Sequence, residues 1–375
     1  LFTYKKDFDL IKNKEAKFYV KVTQEMPIEI NEKRIFNRIE HLVSLHAPSG
    51  YETEVDIAVE DIMNSMGVEH SQDSAGNIIA KIPGKSSKRP IAIISHKDEI
   101  SLIVKRIEDT GHLRVVPVGG LHPWAIGETP VELLTENGIV RGVLSIGSKH
   151  VSVESPAGDL KNGAGLNWDR MWVDCKFTPS ELTHRGIGPG TRVVIARHRK
   201  NIWEVNKYLC GYNLDCRAGL AIIFEVAQQL LLNVPAHDTY IIASEREEIG
   251  GHGASFALAN LPVETAIAVD IAPVASEYGT QNNSQPILIE KDGRGVYHAT
   301  TNRHLRSLAT KEGFELQTAV VTSYGSDSSI AQATGHVARS ALVGYPGDNT
   351  HGYEICCKEA IVNSARLITS FAQNK

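Results

Sequence analysis

The sequence has no apolar run approaching the roughly 18 residues that a membrane-spanning helix requires. Its first residues, Leu1-Phe2-Thr3-Tyr4-Lys5-Lys6-Asp7, carry no apolar signal core. The expectation is a chain with no membrane contact and no secretory peptide. Basic charge is not in excess either. Lys and Arg number 39 against 44 Asp and Glu, a formal net charge of −5. With no surplus of cations to neutralise phosphates, nucleic-acid binding is not expected. Cysteine is scarce: Cys175, Cys210, Cys216, Cys356 and Cys357 are odd in number and form no C-x-x-C. That argues against a disulfide framework and a thiolate zinc site, and fits a reducing cytoplasm. H-E-x-x-H is missing. Gly251-His252-Gly253 lacks the third glycine of a dinucleotide fingerprint, and the glutamates before it would repel a pyrophosphate. Gly325-Ser326-Asp327-Ser328 lacks nucleophile-elbow spacing.

What is present describes an ordinary globular protein. The 375 residues are 42% hydrophobic and 22% charged, enough for a sizeable core and two or three domains. Residues 1–29 are charged and weakly periodic and read as an N-terminal extension. Ile35, Phe36, Ile39, Leu42 and Val43 fall on one helical face. Ser49 and Glu52 stand at capping-box spacing before a second amphipathic helix carrying Val55, Val59 and Ile62. Ile91-Ala92-Ile93-Ile94-Ser95 reads as a buried strand. From 101 to 208 short β-rich runs alternate with turns such as Asp109-Thr110-Gly111 and Asn137-Gly138. Helix and strand patterns then resume: a helix from Ala218 to Leu232, strands at 240–243, 266–269, 319–321 and 341–343, and a final helix through Ile361 and Phe371. The prediction is an α/β fold, a mostly parallel sheet with helices on both faces, formed by 1–100 plus 209–375 and interrupted by an all-β domain over 101–208.

In such sheets ligands bind outside the carboxyl ends of the strands. His96 and Asp98 follow one predicted strand, Glu247 and Glu248 another, Asp270 ends a third, and His351 lies beyond a fourth. Asp215 precedes the long helix. Singly, such residues are ordinarily caps or turn formers. Together they form an oxygen and imidazole donor set suited to two divalent cations. A pair of ions about 3.5–4 Å apart needs a bridging carboxylate and terminal ligands on each.

The order of several motifs resembles the tetrahedral and glutamyl aminopeptidases, a family of cocatalytic dinuclear-metal exopeptidases. Ser95-His96-Lys97-Asp98-Glu99-Ile100 is similar to the family's H-x-D-E-I, and Leu214-Asp215-Cys216-Arg217-Ala218-Gly219 to L-D-[DN]-R-x-G. Glu247-Glu248-Ile249-Gly250 resembles E-E-[VI]-G. Val269-Asp270 and Thr350-His351 stand at the last ligand positions, and Pro48-Ser49-Gly50-Tyr51-Glu52 is similar to the opening signature. Cys216 departs from the family's Asp or Asn, and Tyr324-Gly325-Ser326-Asp327 matches G-G-T-D loosely.

The resemblance implies a cytoplasmic aminopeptidase acting on short peptides through a water shared by two divalent ions per subunit, zinc, cobalt or manganese. Asp215 would bridge, His96 and Asp270 would complete one site, and Glu248 and His351 the other. Glu247 would be the general base, and Asp98 would orient His96. Tyr324 and Asp327 are expected at the substrate pocket. The inserted β domain would mediate dimerisation of a homo-oligomer, from dimer up to dodecamer. A narrower resemblance, in Ile271-Ala272-Pro273-Val274-Ala275 and His351-Gly352-Tyr353-Glu354, is to a subgroup associated with the osmoprotectant N-acetylglutaminylglutamine amide. A metal-dependent amidase, deacylase or carboxypeptidase acting on an N-acylated dipeptide or osmolyte precursor is the second reading. A catalytically silent assembly or binding protein on the same fold is the remaining alternative.

Overall fold

The computed structural model describes residues 28–152 and 154–374. The expected extension at 1–29 therefore lies almost wholly outside the described residues. Ile91–Ser95 forms the buried end of the strand Ser86–His96, at the centre of an eleven-stranded sheet. Its neighbours His237–Ser244 and Thr265–Pro273 run parallel to it, and Arg339–Asp348 runs parallel to the latter. Antiparallel strands flank this core: Ile78–Ile82 on one side, Glu354–Cys357 and Tyr208–Gly211 on the other.

Both faces of the central strands are apolar because both are covered. Ile91 and Ile93 pack into one cluster with the helices Glu32–Val43, Leu214–Leu232 and Lys358–Asn374. Ala92 and Ile94 point the other way, against the helices His252–Asn260 and Asp327–Ala333. Period-two alternation thus feeds two cores, and each fully buried aliphatic side chain contributes about 1.5–3 kcal/mol. Among the described residues no helix is long and apolar enough to cross a membrane.

Between the sheet strands, Ser101–Ile107, Leu113–Val118, Thr129–Thr135, Gly138–Ser145, Trp172–Asp174 and Arg192–Ile195 close into an antiparallel barrel. Leu102, Val115, Leu133, Leu144 and Val193 fill its interior. Asp109-Thr110-Gly111 and Asn137-Gly138 lie at the two expected hairpin turns. The segment is not purely β, since it also carries the short helices Pro123–Ile126, Pro156–Lys161 and Pro179–His184. At four to six residues they are too short to leave a helical period in the sequence. The capping box expected from Ser49 and Glu52 does not form. The helix begins at Thr53, and Glu52 accepts from the Gly50 backbone N–H instead.

Candidate metal centre

Parallel strands bring their carboxyl ends to one edge of the sheet. The strand Ser86–His96 ends on His96, opposite Ser244 of its neighbour. Three and four residues beyond Ser244 come Glu247 and Glu248. Asp270 sits near the end of Thr265–Pro273. His351 follows Arg339–Asp348 in a turn where Asn349 and His351 both take positive φ, 58° and 61°. Asp215 stands at the front of Leu214–Leu232, with extended rather than helical backbone.

These side chains converge on Asp215. Its Oδ1 lies 3.0 Å from His96 Nε2, and its Oδ2 lies 3.5 Å from His351 Nε2. Asp270 Oδ1 is 3.8 Å from His96 Nε2, and Glu248 Oε2 is 3.3 Å from His351 Nε2. The result is two donor groups sharing one carboxylate, each with its donor atoms within 4.8 Å of one another. Asp98 is fully buried beside them. Its carboxylate accepts from the backbone N–H groups of Glu247 (3.0 Å) and Glu248 (3.2 Å) and from the Ser49 hydroxyl (2.6 Å). Burial pushes the Asp98 carboxyl up, but hydrogen bonding and charge from His96, with the bonds from Ser49 and Glu247, hold it below the usual range.

Charge within the cluster is unbalanced. Burial, then the neighbouring Asp215, lifts Asp270 to about 7 against the pull of His96. Burial and Asp215 likewise raise Glu248, although His351 opposes them. Burial raises Glu247 well above its usual value, with Asp327, Asp270 and Glu248 adding to it against His96. Glu248 foremost lifts His351 to about 12. A pocket that crowds carboxylates until they resist ionisation, and aims imidazole nitrogens among them, fits divalent cations. Cys216 borders the first donor group, but burial drives its thiol to about 12, and its Sγ donates to Val269 O at 3.3 Å.

Tyr324 and Asp327 are engaged with the scaffold. The Tyr324 hydroxyl donates to Ile271 O at 2.7 Å, on the strand that carries Asp270. Asp327 is 3% exposed and accepts from the Ser244 hydroxyl. An apolar pocket lined by Ile100, Leu102, Leu121, Ile126 and Tyr212 reaches Asp215, Glu248 and His351 from the barrel side.

Several residues at the centre fall within recognisable motifs, yet the sequence does not show what they do there. Ser49 read as a helix cap and instead donates to Asp98. Glu354, 2% exposed, accepts from the backbone N–H of Asp215 at 3.0 Å and of His351 at 3.3 Å. It thereby ties together segments that sequence separates widely. Glu99 is held by Lys200 Nζ at 2.6 and 2.8 Å and also accepts from the Asn213 side chain, two residues before Asp215.

Comparison with known proteins places this centre in a family. The M42 glutamyl aminopeptidase family matches residues 76–367. A lysyl aminopeptidase of Pyrococcus furiosus is 31% identical over 249 residues, covering 66% of this chain and 68% of that one. An aminopeptidase of the archaeon Desulfurococcus kamchatkensis superposes with a TM-score of 0.82 at 25% identity, covering 92% of this chain and 96% of the other. The TET1 peptidase of Pyrococcus horikoshii, which assembles into a tetrahedron or a large octahedral shell, shares the fold with a TM-score of 0.81 at 23% identity over 91% of this chain and all of its own. With the family match spanning most of its length, this chain belongs to the M42 glutamyl aminopeptidases and is a metallo-aminopeptidase.

Proposed function

We propose that the enzyme removes N-terminal residues from short peptides at a centre holding two divalent cations per subunit, Zn²⁺, Co²⁺ or Mn²⁺. One observation carries this reading: Asp215 turns one carboxylate oxygen toward each of two imidazoles, at 3.0 and 3.5 Å. Asp215 would be shared between the two cations, His96 and Asp270 would hold one of them, and Glu248 and His351 the other. The cations, when bound, supply a water acidified toward neutral pH and polarise the scissile carbonyl.

The remaining chemistry belongs to the chain. Glu247 accepts the proton of the attacking water and returns it to the leaving amine nitrogen, the two halves of general base and general acid catalysis. Burial and the neighbouring carboxylates raise its proton affinity, the direction that a group taking a proton from water requires. Asp98 orients His96 and, through the backbone N–H groups of Glu247 and Glu248, fixes the base relative to the ligands. The surrounding carboxylates attract a free α-ammonium group and thereby favour cleavage at the peptide's amino end.

For the domains we propose a catalytic unit of 1–100 plus 209–375 and an inserted unit of 101–208. The closed barrel formed by strands between 101 and 195 supports that division. Assembly into a homo-oligomer, from dimer to dodecamer, is proposed by analogy with the shell-forming TET1 peptidase, and the insert is the unit proposed to mediate dimerisation. The cysteine pattern, five buried free thiols, favours a cytoplasmic setting.

Action on an N-acylated dipeptide, as in the osmoprotectant-linked subgroup, is the second reading. Ile271–Ala275 directly follows Asp270, and Glu354 braces Asp215 and His351, so both stretches border the centre. That bracing serves either substrate equally. Hydrolysis of short peptides with free and with N-acetylated amino termini, each with and without a chelator, decides between the two. Chelator-sensitive release from the free peptides alone supports the aminopeptidase reading. Cleavage of the acetylated set replaces it with the second.

A further inference from the structure

We infer that the Gly119-Gly120 corner of the barrel positions the Glu248 and His351 half of the metal centre, so that the inserted barrel sets the cation affinity of that half. This rests on the ligand roles proposed above. The corner follows the barrel strand Leu113–Val118. The Gly120 carbonyl lies 3.0 Å from His351 Nδ1 and accepts its N–H. A proton held on Nδ1 leaves the Nε2 lone pair free, and Nε2 is the nitrogen facing Glu248 and Asp215.

Packing makes the same point independently. A Cβ at position 120 would stand 2.7 Å from His351 Nδ1 and 2.8 Å from Cε1. The backbone of Gly120 is not left-handed, so closeness to the imidazole is what requires glycine there. One residue earlier, Gly119 has φ +83°, and a Cβ would stand 2.8 Å from Ile100 Cγ2 and 3.4 Å from Glu248 Cβ. Two successive glycines of the insert therefore lie against the two side chains of one half, with no room for a side chain at 120. Among the described residues the His96 ring has no such barrel contact and is held by Asp98, which Ser49 supports; Asp98 and Glu354 reach the other half only through the backbone of Glu248 and His351.

The test uses the full chain stripped of metal. Calorimetric titration with Zn²⁺, and with Co²⁺ followed by visible absorption, resolves the binding steps. Gly120→Ala is expected to weaken one step by roughly 10–100-fold and leave the other unchanged. Unchanged affinity in both steps, or equal weakening of both, overturns the inference. A His351→Ala background isolates the contact. With the ring gone, adding Gly120→Ala should change neither the remaining step nor the melting temperature, and a further loss of either overturns the inference. If Gly120→Ala alone does not fold, folding of the double variant supports the contact and its failure to fold overturns it. A wild-type chain that takes up no cation refutes the metal-centre reading itself, which separates that failure from this one.

Discussion

Replacing Lys200 by Met removes a cation while its partners stay buried. Lys200 and Glu99 have side chains 0% and 2% exposed, and Lys200 Nζ donates to both Glu99 oxygens and to His46 Nδ1 at 3.0 Å. His46 Nε2 in turn lies 2.6 Å from Glu132 of the barrel. Burial pushes the Glu99 carboxyl up, but Lys200 first, then Arg217 and His46, hold it below the usual range. Without Lys200, the buried carboxylate loses its nearest cation, and breaking such a pair costs about 3–5 kcal/mol. That is roughly two to four orders of magnitude in the folding equilibrium. The double variant Lys200→Met with Glu99→Gln removes both charges and should return to within about 2 kcal/mol of wild type. Urea unfolding at pH 7, followed by circular dichroism on the four members of the cycle, measures both terms. The sign with pH follows from the Glu99 shift. Its folded value lies below its unfolded value, so its contribution is present above the unfolded value and is lost as pH falls through the folded one. The Lys200→Met deficit should therefore narrow in acid. A single-variant cost under about 1 kcal/mol, or a double variant as unstable as the sum of the singles, would refute the reasoning.

Other outcomes can be checked more simply. Glu247→Gln should retain both cations by elemental analysis and lose turnover by roughly 10²–10⁴-fold, as expected for removal of a general base; metal loss in that variant would make Glu247 a ligand. Glu354→Ala frees the backbone N–H groups of Asp215 and His351 and should weaken cation binding about 10–100-fold in a metal titration. Ser49→Ala removes a hydroxyl donor to a buried carboxylate and should destabilise the protein by about 1.5–3 kcal/mol in the same urea assay.

The sheet, and the polar residues that gather at its carboxyl edge, were legible in the sequence for a physical reason. Strands buried on both faces read as continuous apolar runs, and in a parallel sheet the polar residue after such a run falls at the ligand edge. Ile91–Ser95 followed by His96 illustrates both. What the sequence hid is the bracing, because it joins distant segments. Ser49 and Asp98 are 49 residues apart, Lys200 and Glu99 are 101, Glu354 and Asp215 are 139, and His351 and Gly120 are 231. No local period records such pairs. The misread cap is an example: Ser49 has helix-start spacing, yet the helix begins at Thr53 with Glu52 at the cap position, and the Ser49 hydroxyl donates to the distant Asp98 carboxylate.

The place of the insertion explains why so much bracing is needed. The chain leaves the sheet just after His96 and Asp98, runs through the barrel, and returns through Tyr208–Gly211 just before Asp215. Two proposed ligands, His96 and the bridging Asp215, thus flank the entry and exit of a separately closed barrel. Any rocking of the barrel would shift their spacing unless the junction is stiff. Glu99 lies at the entry, Lys200 and Asn213 on the return, and the three are joined by buried hydrogen bonds. Loosening that junction should reach the centre through Asn213, two residues from Asp215. Glu99→Gln is therefore expected to weaken cation affinity as well as stability, whereas an equally destabilising cavity inside the barrel, such as Leu144→Ala, should lower stability and leave affinity intact. Metal titration of the two variants, matched by their unfolding free energies, checks this. Equal affinity loss in both would show that the centre responds to general destabilisation and not to the junction.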